Sequence, residues 1–162
     1  MYLFDASAII NLIKRGIARV FAYGATTDLA LYESLNAVWK EFKLLKRIDE
    51  ETALEYVDVI AKVFKVIEKV SIEGNEEEVF KLASKENMSI YDASYLYAAI
   101  KHKLILVTDD SKLLNKASKY VRVMRSNELA GLGEPSNFQS LIGPLTMLHP
   151  RPTRMHPSQE VR

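Results

Sequence analysis

Short β-branched runs alternate with long amphipathic stretches along residues 1–132, which predicts a parallel α/β sheet. Strands are expected at Tyr2–Asp5, Thr26–Asp28, Val70–Ile72, Leu104–Thr108 and Val121–Met124. Ile105, Leu106 and Val107 are continuously apolar, as in a strand covered on both faces. Helices are expected between the strands. In "LALYESLNAVWKEFKLLKR", Leu31, Leu35, Val38, Phe42 and Leu45 recur at helical spacing and predict one buried stripe. "DEETALEYVDVIAKVFKVIE" carries acids in its first turn, where they suit the helix dipole. "NEEEVFKLASKEN", "YDASYLYAAIKHK" and "DSKLLNKASKY" predict three more helices. The expectation is a single α/β domain with a central, mostly parallel sheet of four to five strands flanked by helices.

The pattern stops at Gly133. All five prolines and both glutamines lie beyond it, and no lysine does. The body, 1–132, is therefore read as the domain and 133–162 as an irregular or flexible arm. Lysine, glutamate and isoleucine abundance in the body also matches the composition of heat-adapted proteins.

Composition narrows the chemistry. The 162 residues are 48% hydrophobic and 27% charged, as in a globular protein with a real core. There is no cysteine, which excludes disulfides, thiolate metal sites and cysteine nucleophiles. The apolar N-terminus has no basic leader and no run reaches membrane-span length, so a cytoplasmic location is expected. Residues 1–132 carry nineteen basic and nineteen acidic side chains, so a globally basic nucleic-acid binder is not indicated.

The candidate chemistry is acidic. Asp5 ends the first apolar run, and Asp109 and Asp110 follow "LILVT". Asp92 stands at a helix start and Glu33 in the first turns of another helix. Ligands of parallel α/β sheets bind beyond the carboxyl ends of the strands, where these acids are expected to converge. Taken singly, each has an ordinary structural reading: Asp5 a turn former, Asp92 and Asp110 helix caps, Glu33 a solvated helix residue.

"LFDASAIINL", "DLALYESLNAVWKE", "YDASYLYAA" and "LVTDDSKLL" together resemble, in order and spacing, the four motifs of the PIN domain family, and within it the VapC-type toxin ribonucleases. The resemblance covers roughly residues 1–130. It implies metal-dependent hydrolysis of RNA to a 3′-hydroxyl and a 5′-phosphate. The matching acids are Asp5, Glu33, Asp92 and Asp110, with Asp109 at a variable position as a further acid. Ser7 and Thr108 match hydroxyl residues that steady the acids.

On that basis Asp5 and Asp110 are expected to bind the principal metal, Asp92 to complete the pocket, and Glu33 to bind a second ion or orient water. Oxygen donors without His or Cys favour Mg²⁺ or Mn²⁺, one or two ions per site. Lys14, Arg15, Asn36, Lys40 and Lys112 are expected as a rim for RNA phosphates. A homodimer and a small antitoxin are the implied protein partners.

Rival readings fare worse. A haloacid dehalogenase-type phosphohydrolase requires a second Asp two residues after the first, where Ser7 stands. A receiver domain places its acidic pair at the first strand, whereas Asp109 and Asp110 come late. A PIN scaffold that only binds RNA or protein often lacks some of the acids, and a housekeeping RNA-processing nuclease shares the chemistry. Trp39, Tyr32, Tyr95 and Tyr97 are read as core or interface residues, His102 as a dipole partner at a helix end. "GLGEPS" lacks the strand–helix context of a dinucleotide loop. A chain ending at Gly133 is expected to keep metal-dependent RNA cleavage; a folded truncation without it would show that the arm belongs to the site.

Overall fold

A computed structural model of the chain describes residues 1–131. Five strands, β1 (Tyr2–Phe4), β2 (Gly24–Thr27), β3 (Glu68–Val70), β4 (Ile105–Val107) and β5 (Val123–Met124), form one sheet in the order β3-β2-β1-β4-β5. Every pairing is parallel, so each connection must cross back over the sheet. The crossovers carry helices α1 (Ala6–Lys14), α2 (Leu29–Trp39), α3 (Glu50–Val66), α4 (Glu76–Glu86), α5 (Ile90–His102) and α6 (Ser111–Ala117), and α7 (Ser126–Gly131) follows β5. α1 packs on α2, α3 and α7, while α5 packs on α4, α6 and three strands. The sequence expectation of a parallel sheet of four to five strands flanked by helices is met. The expected arm, 133–162, lies outside the described residues.

Strand order reverses at β1. The chain first builds outward through β2 and β3, then returns to place β4 on the other side of β1. The carboxyl ends of β1 and β4 therefore flank the point where neighbouring connections diverge, the usual crevice of such sheets.

The strand boundaries differ from the sequence pattern for physical reasons. β3 is Glu68–Val70 rather than Val70–Ile72. It lies at the sheet edge, where exposed Glu68 and Lys69 interrupt the apolar signal. β2 begins at Gly24, because its small residues are all buried yet give little hydropathy. Two helices were not visible as periods. α1 does carry a stripe, with Ala8, Ile9, Leu12 and Ile13 buried opposite Ser7, Asn11 and Lys14, but at nine residues it is shorter than the stretch over which a helical period is read. α7 is too short to show one.

The stripe on α2 also breaks. Val38 is buried and Leu31, Leu35 and Phe42 are partly so, but Leu45 is exposed. α2 ends in a π turn at Lys40–Leu44, where the Leu45 N–H reaches the Lys40 carbonyl at 2.9 Å. The wider turn rotates the following residues off the core face. Tyr32 and Trp39 are exposed too, so neither is core. Helix stops are sharper: Asn87 and Lys103 adopt left-handed conformations at the ends of α4 and α5.

Gly24 lets β2 approach β1. A Cβ there would stand 2.2 Å from the Phe4 ring, which is buried edge-on against Phe21 at 5.2 Å. Gly24→Ala is expected to destabilise the fold by about 1–3 kcal/mol, read as a lower urea midpoint at unchanged m-value.

Candidate active site

Asp5 follows the last residue of β1 and caps α1, accepting from the Ala8 N–H at 2.8 Å. The carboxylate is only 4% exposed. Its own N–H continues the ladder to the Val107 carbonyl at 3.1 Å, fixing it beside β4. The Ser7 hydroxyl lies 2.8 and 2.9 Å from its two oxygens, and Thr108, the residue after β4, donates its hydroxyl to Oδ2. Burial pushes the Asp5 carboxyl up from 3.8 to about 6, against the pull of the Thr108, Ala8 and Ser7 hydrogen bonds, and the charge of Asp109 adds to the rise.

The two hydroxyls also hold the neighbouring turn. Ser7 Oγ accepts the Asp109 N–H at 2.9 Å, and Thr108 Oγ1 accepts the Asp110 N–H at 3.0 Å. Ser7 and Thr108, expected to steady the acids, thus each contact both Asp5 and the turn that bears Asp109 and Asp110. Asp110 caps α6, with Oδ1 accepting from the N–H groups of Lys112 and Leu113 at 2.7 and 2.9 Å. Asp109 turns the other way. Its carboxylate accepts from Asn11 Nδ2 at 2.7 Å and from the Ser126 N–H and hydroxyl at 3.0 and 2.5 Å. Asp109, expected as a further acid near the site, thus ties α1 to α7 through its carboxylate.

Glu33, on α2, accepts from the Tyr95 hydroxyl at 2.6 Å. Tyr95 is buried on α5, and burial, this hydrogen bond and the Glu33 charge together raise its phenol far above the usual range. Asp5 adds a smaller push in the same direction, which places Tyr95 within electrostatic reach of both acids. From sequence, Tyr95 reads as core or interface. It is buried, and its hydroxyl is bonded to Glu33, one of the candidate acids. The available signal was its spacing, three residues after Asp92 on one helix face. Asp92 itself lies in the first turn of α5, where Ser89 Oγ, not Asp92, provides the cap, accepting the Asp92 N–H at 3.0 Å.

Asp92 lines a cleft of about 230 Å³ between α5 and α6, together with Ser89, Lys112 and Lys116. Asp5, Ser7, Thr108, Asp109 and Asp110 form one hydrogen-bonded group, and Glu33 with Tyr95 forms a second. Asp92 joins neither by a hydrogen bond. Among the described residues, no three acidic or histidine side chains stand in range of one metal ion.

The expected rim divides by sheet polarity. α1 runs away from Asp5, so Lys14 and Arg15 stand about 14 Å along it. Lys14 is ion-paired with Glu41. Asn36 and Lys40 lie one and two turns along α2 from Glu33, also leading away from the carboxyl edge. Of the expected cations, Lys112 is the one beside a candidate acid.

A PIN domain family model matches residues 2–119. The chain belongs to the PIN domain family. It is 36% identical over 124 residues to exonuclease VapC9 of Pyrobaculum aerophilum, an alignment spanning 75% of this chain and 90% of that protein. Ribonuclease VapC3 of the same organism is 33% identical over 93 residues, 56% of this chain and 69% of that one. The crystal structure of PAE2754 from P. aerophilum superposes with a TM-score of 0.66 at 32% identity, covering 79% of this chain and 92% of its own. VapBC2 from Rickettsia felis, solved with a DNA fragment from its promoter, shares the fold at a TM-score of 0.52 and 14% identity, over 76% and 97% of the two chains. The PIN fold thus accounts for the sheet order and the helices around it. Among its described residues, no helix is long and apolar enough to cross a membrane.

The donor set of this PIN domain suits a hard cation. Its candidate ligands are all carboxylates, and burial already disfavours the ionised form of Asp5 unless a counter-charge arrives. The sign of the linkage follows. With a native pKa above the unfolded one, Asp5 binds its proton more tightly when folded, so its contribution weakens as pH rises from about 4 through 6. In EDTA, the stability of wild type relative to Asp5→Asn should fall by about 2 kcal/mol between pH 4 and 7, measured by urea unfolding of both. Mn²⁺ at pH 7 should then stabilise wild type but not the variant.

Proposed function

We propose that this chain is a metal-dependent ribonuclease that cuts RNA internally, and the toxin of a VapBC-type toxin–antitoxin pair acting in the cytoplasm. The observation that carries the reading is the buried Asp5 at the sheet's switch point, held by Ser7 and Thr108 against the turn that bears Asp110. The nuclease names of its PIN relatives support it.

Asp5, Asp110 and Asp92 would hold Mg²⁺ or Mn²⁺ after drawing closer together than they stand here, with waters completing the shell and Glu33 serving a second ion or the attacking water. When bound, the metal supplies a water activated near neutral pH and charge stabilisation on the phosphate. The chain's own residues do the remaining work. Ser7 and Thr108 fix the Asp5 rotamer, and Tyr95 holds Glu33 at the edge of the site through its hydroxyl. For a toxin, a second copy and a small antitoxin are the expected partners. Tyr32, Trp39, Leu44 and Leu45 on α2 and its π turn, with Leu54 and Val57 on α3, expose apolar surface of the kind such contacts use.

A second reading differs only in polarity of attack. The VapC9 relative is named an exonuclease, which favours cleavage from a strand end. Labelled linear and circular single-stranded RNA separate the two, since only an internal cut opens a circle. Wild type with Mg²⁺ or Mn²⁺ is expected to cut both, EDTA to stop it, and Asp5→Asn to lower the rate by about 10²–10⁴-fold. Cleavage that persists in EDTA or in the variant would refute the acidic-site mechanism. Failure to bind Mn²⁺ would refute the metal site itself.

A further inference from the structure

RNA carries its charge to a site that is itself acidic, so a cation must stand where the strand arrives. Lys14, Arg15 and Lys40 are directed away from that edge, and the sequence pattern offered nothing after Lys112. One cation stands there that the motifs do not include. Arg125 is the residue immediately after β5, as Asp5 is after β1 and Thr108 after β4. β5 pairs with β4, and the Thr108 N–H reaches the Met124 carbonyl at 3.0 Å, so Arg125 begins its course beside the turn carrying the acids.

Its guanidinium brackets Asp110. Nη1 donates to the Asp109 carbonyl at 3.2 Å and Nη2 to Ser111 Oγ at 3.0 Å, one residue either side. The next residue, Ser126, binds the Asp109 carboxylate through both its N–H and its hydroxyl. Glu128 accepts the Arg125 backbone N–H at 2.8 Å. Among the described residues, Arg125 has no carboxylate partner in an ion pair. The nearby acids are engaged elsewhere: Asp109 with Asn11 and Ser126, Asp110 with the N-terminus of α6. A guanidinium has five N–H donors in a planar fork suited to phosphate, and two of them orient this one on the turn.

We infer that Arg125 contacts an RNA phosphate next to the bond cut at the Asp5–Asp110 site, the turn around Asp110 holding its guanidinium in place. The residue lies beyond the span matched by the family model, which ends at 119. The inference rests on the RNA reading above. It differs from a purely structural role, in which Arg125 would only clamp the turn and act through Asp110.

The test compares wild type, Arg125→Lys and Arg125→Gln as full chains. For each, three quantities are measured: binding of labelled single-stranded RNA across a salt series, cleavage kinetics with Mn²⁺, and Mn²⁺ affinity by calorimetry. Expected for Arg125→Gln are about tenfold weaker RNA binding, a salt slope shallower by about 0.7, and a KM rise that exceeds the change in kcat. Arg125→Lys should keep the slope, because it keeps the charge. Mn²⁺ affinity should change little in either.

Equal losses in Lys and Gln with an unchanged slope, or a loss traced to Mn²⁺ affinity, would overturn the phosphate contact in favour of a clamp. Wild type that binds RNA without cutting it still tests Arg125 through the slope, while refuting the nuclease reading. Wild type that neither binds nor cuts RNA would overturn both.

Discussion

A carboxylate enclosed where two parallel strands end is the constraint that the remaining structure answers to. Asp5 has 4% of its surface in contact with solvent, and a buried charge costs several kcal/mol unless it is hydrogen-bonded or paired. The fold meets the first condition with three donors from two chain segments: Ala8 and Ser7 from α1, and Thr108 from the end of β4. Those donors exist together only if β4 lies beside β1. The strand order and the chemistry of Asp5 are therefore one requirement seen twice. The residual cost, visible in a carboxyl pushed up to about 6, is the feature a bound cation would relieve.

Around that centre the acids divide by what they touch. Asp109 holds α1 and α7 together and faces protein donors. Asp110, one residue on, caps α6 while lying exposed at the edge. Adjacent residues at the carboxyl end of a strand diverge in this way because successive side chains leave the backbone in different directions. Tyr95 extends the same logic across the sheet: α5 packs on β1, β2 and β4, which carries a buried phenol to Glu33 on another helix. Two separate hydrogen-bonded groups result, and Asp92, on the helix that carries Tyr95, lines a cleft against α6.

Sheet polarity also sorts the cations. All five strands run in one direction, so every helix that starts at the acidic edge ends at the other. Charges late in α1 and α2 are carried off from the site, whatever their distance in sequence from an acid. Charges early in α6, or directly after β5, remain at it. Position along an element decides which lysines and arginines face the same crevice as Asp5.

The sequence by itself determined the α/β class, most of the helices and the five strands to within a few residues, because hydropathy period follows from local burial. It also offered the acids as candidates, since the motifs set Asp5, Asp92 and Asp110 at element ends and Glu33 early in α2. It did not determine α1, whose nine residues are too few to establish a period, nor the bounds of β3, whose edge exposure hides them. The π turn after Trp39 was equally invisible: one residue per turn more than an α-helix leaves no compositional mark, yet it moves Leu45 into solvent. Only the tertiary structure decided that Asp109 supports while Asp110 faces the edge, that Tyr95 holds Glu33, and that Arg125 flanks the acids from the last strand. Those partnerships join residues as far apart as 62 and 98 positions. They depend on which strands become neighbours, and no local pattern contains that information.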